Sequence, residues 1–279
     1  MVAAVGVALV GYSAGVLHSL PLTAVGFALL GFGIGSMDVM INVEGAAAEK
    51  AIGRTVMPLM HAGCAAGVIA GAGIGAACVA LNIDFVWQFG GEALVILAVA
   101  IRAVSYLPQA EPPVDPAAIP PLRERLASWA SGWKNGRLLL IGLVMLGVEL
   151  GEGTANSWLT LAAHDGHGQP AAVAALFFVA FAVGETGARV FGGPIVDRIG
   201  RVRTVRVTTA LGAVGVALFI LGGPAWLVLV GTVLWAVGVS MGFPLGMSAA
   251  ADSGPNPAAQ VSVVASIGYL ANRGGGCAG

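Results

Sequence analysis

Charged side chains are scarce in this sequence. Asp, Glu, Lys and Arg make up 10% of the 279 residues, whereas 57% are hydrophobic, and the mean hydropathy is +0.90. Because about a quarter of the residues in soluble domains are charged, this composition excludes an ordinary soluble domain. The 13 basic and 14 acidic residues leave no basic excess, so we expect no nucleic-acid partner.

Cysteine is also rare, and its spacing indicates neither a disulfide framework nor a metal site. Cys64 and Cys78 lie within one apolar run, and Cys277 lies near the end. The two histidines of HDGHG at 164–168 have no further ligand in view. The string GYSAG at 11–15 lies in an apolar run rather than in the strand-turn-helix that a hydrolase serine requires. We expect no cofactor, no metal and no enzymatic activity.

Long uncharged apolar runs, by contrast, recur along the chain. A bilayer core about 30 Å thick is crossed by roughly 20 apolar residues of helix. The predicted spans are 2–17, 22–46, 56–81, 86–107, 137–162, 171–192, 205–222 and 225–249, with a partial ninth from about 260 to Leu270. The 43 glycines fit this assignment because small residues let membrane helices approach closely. The predicted fold is an all-α polytopic membrane bundle of about eight full spans plus a partial ninth.

Lysine and arginine are distributed on one side of the predicted membrane. They follow the second, fourth and sixth spans: Lys50, Arg54; Arg123, Arg125, Lys134, Arg137; Arg198, Arg201, Arg203, Arg206. The opposite loops contain none of either residue: 18–21, 82–85, 163–170 and 223–224. By the positive-inside rule, the amino terminus and the central linker are cytoplasmic and the protein lies in the inner membrane.

The longest connection, 108–136, is rich in proline and charge and is typical of a cytoplasmic linker. Its second part, from Leu122 to Trp133, is predicted to form an amphipathic helix on the membrane surface. The predicted organisation is 1–107, the remnant of an N-terminal helical bundle; 108–136, the linker; 137–272, an incomplete C-terminal bundle; and 273–279, an aberrant tail.

A weak internal repeat connects the two predicted bundles. The segment GSMDVMINVEGAAAE at 35–49 resembles VSMGFPLGMSAAAD at 239–252, with one residue of slippage. The two segments are about 200 residues apart, and such an offset is typical of parallel repeats in transporters.

One short loop concentrates the charge that the rest of the chain lacks. GGPIVDRIGRVR at 192–203 contains the pattern G-x-x-x-D-R-x-G-R-x-R. An acid at a helix end can pair with arginines and with the positive N-terminus of a neighbouring helix, forming a cytoplasmic latch between moving parts. A simple positive-inside anchor with a glycine turn is the alternative. The candidate latch residues are Gly193, Asp197, Arg198, Gly200, Arg201 and Arg203.

This loop resembles the signature of the major facilitator superfamily, where it joins the second and third helices of each six-helix half. Further stretches extend the resemblance toward the sugar-permease-like and uncharacterised bacterial branch: GSMDVMIN at 35–42, GRTVMPLMHAG at 53–63, EGTANSWL at 152–159, GFPLGMSAAAD at 242–252 and VSVVASIGYLA at 261–271. The resemblance implies that the spans correspond to helices three to eleven of twelve, so that we expect a chain truncated at both ends.

The function implied by this resemblance is secondary active transport of a small solute by alternating access, with proton coupling as one option. The solute is left open among sugars, drugs and metabolites, and a monomer in the lipid bilayer is expected. The alternative is an inactive or regulatory membrane fragment. Uptake and efflux are not distinguished.

Ionisable and amide side chains inside the spans are the candidates for solute or proton binding, because buried charge in a membrane is costly. The resemblance implies that the second and fifth spans line a central cavity. The candidates on these two spans are Glu152, Glu149, Asn156, Asp38, Asn42 and Trp158. A hydrogen bond that only joins helices is the alternative for each polar residue, and core packing is the alternative for Trp158.

Glu152 is the strongest of these candidates, because its context E-G-x-x-N-x-W matches the family. With no ionic partner identified, it is expected to be protonated at rest. Glu185 and Arg189, near the inner end of the sixth span, are grouped with Asp197 in the latch.

Overall fold

The computed structural model describes residues 1–106 and 121–274, with side chains up to residue 270. The helices within these residues are α1 Val2–Tyr12, α2 Leu20–Ile52, α3 Met57–Ala80, α4 Phe85–Val104, α5 Leu122–Gly132, α6 Gly136–Leu161, α7 Ala171–Ile199, α8 Arg201–Leu221, α9 Ala225–Ser240, α10 Gly242–Ala251 and α11 Pro257–Gly274. π-Helical turns extend α1 through Ser13–Leu17 and α6 through Ala162–Gly166. Residues 108–120 of the predicted linker and 275–279 of the predicted tail lie outside the described residues.

The predicted all-α membrane bundle is confirmed. Seven helical stretches in the described part are long and apolar enough to cross a membrane: α2, α3, α4, α6 with its π-turn, α7, α8 and the pair α9–α10. The first and last apolar helices, Val2–Leu17 and Pro257–Leu270, are shorter. They lie where the sequence predicts the first span, 2–17, and the partial ninth, so the apolar helices of the described residues follow the predicted order. The helix predicted after Leu122 is present as α5, and its position on the membrane surface stays a prediction.

Local chemistry explains several helix ends. The Asn135 side chain accepts hydrogen bonds from the backbone N–H groups of Arg137 and Leu138 and thereby caps α6. Gly200 separates α7 from α8 with a φ of 84°, a region that glycine enters without steric cost. The chain therefore turns within one residue between two long helices.

The chain folds into two compact units. Unit one contains Met1–Ile41 and Gly67–Leu122, and unit two contains Asn42–Ala66 and Arg123–Gly279. Residues 42–66 belong to unit two because their side chains and backbone bond to residues of α7, α8 and α10. The predicted bundle limits, 1–107 and 137–272, stay a prediction.

Glycines bring helices together in both units. In unit one, a Cβ on Gly6 would lie 2.6 Å from the Leu30 backbone nitrogen, so α1 and α2 touch backbone to backbone. In unit two, Gly212 of α8 faces Gly238 of α9 in the same manner. Such close approach permits dispersion and weak C–H···O interactions that larger side chains would prevent.

Candidate functional site

An ion cluster lies within the membrane-spanning helices of unit two. Arg189 Nη2 of α7 is 2.9 Å from Glu152 Oε2 of α6 and 2.6 Å from Glu185 Oε1 of α7. The Nε of Arg189 donates to the Ser240 backbone carbonyl at 3.1 Å, at the end of α9. We call Glu152, Glu185 and Arg189 the ion cluster.

The ion cluster is largely shielded from solvent. The side chains of Arg189 and Glu185 are 9% and 10% exposed, and that of Glu152 is 21% exposed. Glu185 and Arg189 are one turn apart, so they lie on one face of α7, and this face is buried. Glu149, one turn before Glu152 on α6, is also buried. Two glutamates share a single guanidinium, so one proton on the cluster balances its charge.

Two sequence-based expectations change here. Glu152 has an ionic partner, Arg189, which the sequence alone does not identify. The structure does not join Glu185 and Arg189 to Asp197, because Arg189 reaches across to α6 and α9 while Asp197 lies two helical turns further along α7. The sequence spacing on α7 shows that Glu185 and Arg189 can pair, but it does not show which neighbouring helix they face.

A second polar contact joins α2 to α3 within unit two. The fully buried Asn42 places its Oδ1 3.1 Å from His61 Nε2. The His61 ring packs edge-on against Phe243 of α10, with centroids 5.1 Å apart. Asn42 is one of the sequence-predicted candidates, whereas His61 is not among them.

The remaining candidates lie elsewhere. Asn156 and Trp158 are exposed on α6, and Trp158 lines a cavity of about 380 Å³ together with Trp235. Asp38 is half-buried on α2 and belongs to unit one. Within unit two, the structure therefore brings Glu152 together with Glu185 and Arg189, but does not join Asn156 or Trp158 to them.

A second group of charges surrounds the N-terminus of α3. Glu49, near the end of α2, accepts hydrogen bonds at Oε1 from the backbone N–H groups of Val56 and Met57, both at 2.9 Å. Its Oε2 accepts from the Ser248 hydroxyl and lies 3.4 Å from Arg201 Nη2. One carboxylate therefore links α2, α3, α8 and α10.

Asp252, at the end of α10, completes this group. It pairs with Arg201 Nη1 at 2.7 Å and with Lys50 Nζ at 2.9 Å. Partial burial by itself raises the pKa of Asp252, but the hydrogen bonds from Arg201 and Lys50 outweigh that effect and hold its pKa below the ordinary value. Asp252 therefore keeps its charge at neutral pH. We call Glu49, Lys50, Asp197, Arg201 and Asp252 the charge network.

Asp197, the acid of the loop signature, contacts the same helix start. Its Oδ1 accepts from the Thr55 backbone N–H at 3.0 Å. A Cβ on Gly193 would lie 2.5 Å from the Thr55 carbonyl oxygen, so this position requires glycine for close approach. A polar pocket of about 190 Å³ lies among these residues.

The structure thus gives four of the six latch candidates a specific contact or a role in the turn. Asp197 and Arg201 join the charge network, Gly193 contacts Thr55, and Gly200 forms the turn, whereas Arg198 and Arg203 are exposed. Glu49 and Asp252 are not among the sequence-predicted candidates, although the internal repeat contains a signal for them. Glu49 ends one copy and Asp252 ends the other, and both contact Arg201.

Comparisons with known proteins agree on one family. The family model described as Major Facilitator Superfamily matches residues 1–279. The uncharacterized transporter y4wD of Sinorhizobium fredii (strain NBRC 101917 / NGR234) is 29% identical over 262 residues, covering 92% of this chain and 65% of that protein. An uncharacterized MFS-type transporter of Yersinia pestis is 25% identical over 258 residues, covering 91% and 64%. The chain spans a little under two thirds of the length of these curated relatives.

A solved structure shares the fold. The crystal structure of the E. coli fucose:proton symporter, FucP, matches with a TM-score of 0.76 at 15% sequence identity. The match covers 98% of this chain and 72% of the symporter chain.

Proposed function

Because the chain belongs to the major facilitator superfamily, we propose that it acts in secondary active transport of a small solute across the inner membrane. The observation that carries this proposal is the ion cluster of Glu152, Glu185 and Arg189 inside the membrane-spanning helices. Ionised side chains in a bilayer are costly, and they are characteristic of ion and substrate pathways.

We propose that the ion cluster also couples transport to protons, and its charge supports this. With both glutamates ionised, Arg189 compensates only one of them, so the cluster takes up a proton when its surroundings lose water. Glu152 is the more exposed glutamate and is therefore our choice for the exchanging group. The fucose:proton symporter is named for proton coupling on the same fold, which is consistent with this assignment.

Solute binding is proposed for the polar and aromatic candidates on α2 and α6. Asn42 and Glu149 are buried near polar neighbours, and Trp158 is available for stacking on a ring. Asp38 and Asn156 stay in the proposed set. A sugar, a drug or another metabolite is compatible with these side chains.

The charge network is proposed to act as a cytoplasmic latch. Its pairs close one end of unit two between α2, α3, α8 and α10. Alternating access requires such pairs to separate and re-form, because packed interfaces have discrete arrangements. The linker and amino terminus are proposed to lie on the same cytoplasmic side.

A second candidate is a membrane fragment without transport activity. Only 6% of the residues in the apolar windows of α2, α3 and α4 are buried, compared with 61% in α9–α10. Helices with so little packed surface have few partners to move against.

Solute-driven proton movement distinguishes the two candidates. The chain is reconstituted in liposomes containing a pH-sensitive dye, and a panel of sugars and other small metabolites is added outside. We expect at least one solute to drive proton flux in the unaltered chain, while Glu152→Gln abolishes that flux and retains exchange of the labelled solute. Glu92→Gln is the matched control, because Glu92 is a membrane glutamate that contacts Gln88 in unit one.

Two other outcomes would contradict this proposal. Flux that persists unchanged in Glu152→Gln assigns the proton to another group. Absence of both proton flux and solute exchange for every solute, in a monodisperse preparation, supports the inactive fragment.

A further inference from the structure

An apolar groove with a basic rim lies on the surface of unit two, between α6, α8 and α10. Its volume is about 370 Å³. Its walls are aliphatic and small side chains, including Leu140, Val144, Val205 and Ala249. Arg137 and Arg206 stand at its rim. We call this feature the basic groove.

The two rim arginines carry uncompensated charge. Arg137 lies in the first turn of α6 and Arg206 in the second turn of α8, and both are exposed. Neither guanidinium has a carboxylate within ion-pair distance among the described residues. Arg201 also lines the groove, but Glu49 and Asp252 already pair with it.

Further apolar space lies beside the groove along α6 and α8. A second cavity of about 390 Å³ shares Val144 with the groove and extends between α6 and α8 to Gly151. Arg137 and Gly151 are 14 residues apart on α6, which is about 21 Å of helix. One leaflet of the hydrocarbon core is about 15 Å thick. The apolar path is long enough for one acyl chain.

We propose that the basic groove binds an anionic phospholipid of the cytoplasmic leaflet. The phosphate accepts hydrogen bonds from Arg137 and Arg206, and an acyl chain lies along the path toward Gly151. Guanidinium groups bind phosphate with two parallel hydrogen bonds, and basic pockets between membrane helices on the cytoplasmic side suit anionic headgroups. Neither Arg137 nor Arg206 belongs to the proposed solute and proton site.

The chemistry favours this occupant over others. A free phosphate ion would use the rim but gain nothing from the aliphatic walls. A zwitterionic lipid brings its own cation close to the two arginines, which weakens the attraction. The groove and its rim together match a molecule that has a negative head and an apolar chain.

Native mass spectrometry of the detergent-solubilised chain tests this proposal. The chain is titrated with dioleoyl phosphatidylglycerol, with dioleoyl phosphatidylcholine and with inorganic phosphate. We expect one phosphatidylglycerol to bind preferentially. The double variant Arg137→Gln/Arg206→Gln is expected to weaken that binding about thirtyfold, since each basic residue contributes about fivefold.

Three further variants distinguish binding in the groove from general charge attraction. Arg125→Gln/Lys134→Gln removes the same charge from exposed positions of the same predicted side and is expected to leave the preferred binding unchanged. Ala249→Trp keeps both rim arginines and fills the groove, so it is expected to weaken binding as strongly as loss of the arginines. Arg137→Lys/Arg206→Lys is expected to retain most of the binding.

Specific results overturn the proposal. A lipid site in the groove is contradicted if the two lipids bind equally. It is also contradicted if Arg125→Gln/Lys134→Gln weakens phosphatidylglycerol binding as much as Arg137→Gln/Arg206→Gln does, or if Ala249→Trp leaves that binding unchanged. Binding of inorganic phosphate as tight as that of phosphatidylglycerol assigns the rim to a soluble anion. If the spectra show a dimer of the chain and Ala249→Trp abolishes it, the groove binds a second copy of this chain instead.

Discussion

At the scale of single residues, Arg189 connects three helices of unit two through charged and polar contacts. It contacts two glutamates from two helices and a backbone carbonyl from a third, while it is 9% exposed. Removing one partner of a buried ion pair leaves an uncompensated charge. The resulting loss of stability generally exceeds the net stabilisation that the pair itself provides. The stability of α6, α7 and α9 against one another therefore depends on this side chain.

We expect Arg189→Gln to destabilise the solubilised chain by about 3–5 kcal/mol. The expected result is a clearly lower thermal midpoint in a fluorescence unfolding assay. Arg198→Gln is the matched control, since Arg198 is an exposed arginine on the same helix. The triple variant Glu152→Gln/Glu185→Gln/Arg189→Gln is expected to recover part of the loss, because it removes the uncompensated charges as well.

Equal midpoints for Arg189→Gln and Arg198→Gln would contradict an energetic role for the ion cluster. A triple variant that is less stable than Arg189→Gln would show that packing, rather than charge, dominates at this site.

At the scale of elements, the start of α3 depends on side chains from other helices. The first N–H groups of a helix have no partner within it. Here Asp197 of α7 accepts from Thr55, and Glu49 of α2 accepts from Val56 and Met57. The carboxylates also interact favourably with the positive end of the helix dipole. The acid of the loop signature therefore has a local structural role in addition to its proposed latch role.

The close approach of α7 to this helix start predicts a contrast between two glycines. Gly193→Ala is expected to destabilise the chain by about 1–3 kcal/mol, because the added methyl group meets the Thr55 carbonyl. Gly187→Ala on the same helix meets nothing within 4 Å and is expected to be neutral or slightly stabilising. Chemical unfolding of the two solubilised variants measures the difference. Equal stability would mean that α7 and Thr55 are not in contact in solution.

At the scale of the whole molecule, the one-sided distribution of basic residues predicts the orientation in the membrane. The connections that contain Lys and Arg alternate with connections that contain neither. Insertion retains basic loops in the cytoplasm. The proposed latch, the linker and the basic groove all use residues from this basic set.

Cysteine labelling of intact cells tests this orientation. In a background without native cysteines, we expect Ala130→Cys on α5 to be protected from a membrane-impermeant maleimide added outside. Asp165→Cys, in the connection between α6 and α7, is expected to react. Both positions are exposed in the structure, so the contrast reports sidedness. The reverse pattern would contradict the predicted topology.

Local features of the chain determined the spans, their order and the loop signature. Apolar length, the placement of lysine and arginine, and the glycines of the signature act over a few residues or one helix. They therefore predict the places of α2 to α4 and α6 to α8, and of α9 and α10 as one span, although α2 and α7 continue six and seven residues beyond the predicted ends. They also predict Glu152, Asp197 and Arg201 as polar residues with a use.

Only the tertiary structure decided which of these residues meet. Arg189 and Glu152 are 37 positions apart, Arg201 and Glu49 are 152 apart, and Ser248 and Glu49 are 199 apart. The spans are apolar on nearly every side, so their periodicity does not mark which face packs against which helix. The partners of buried polar groups depend on that choice of face. Helix packing made this choice, joining Arg189 to Glu152 instead of Asp197 and bringing Glu49 and Asp252 to the same arginine.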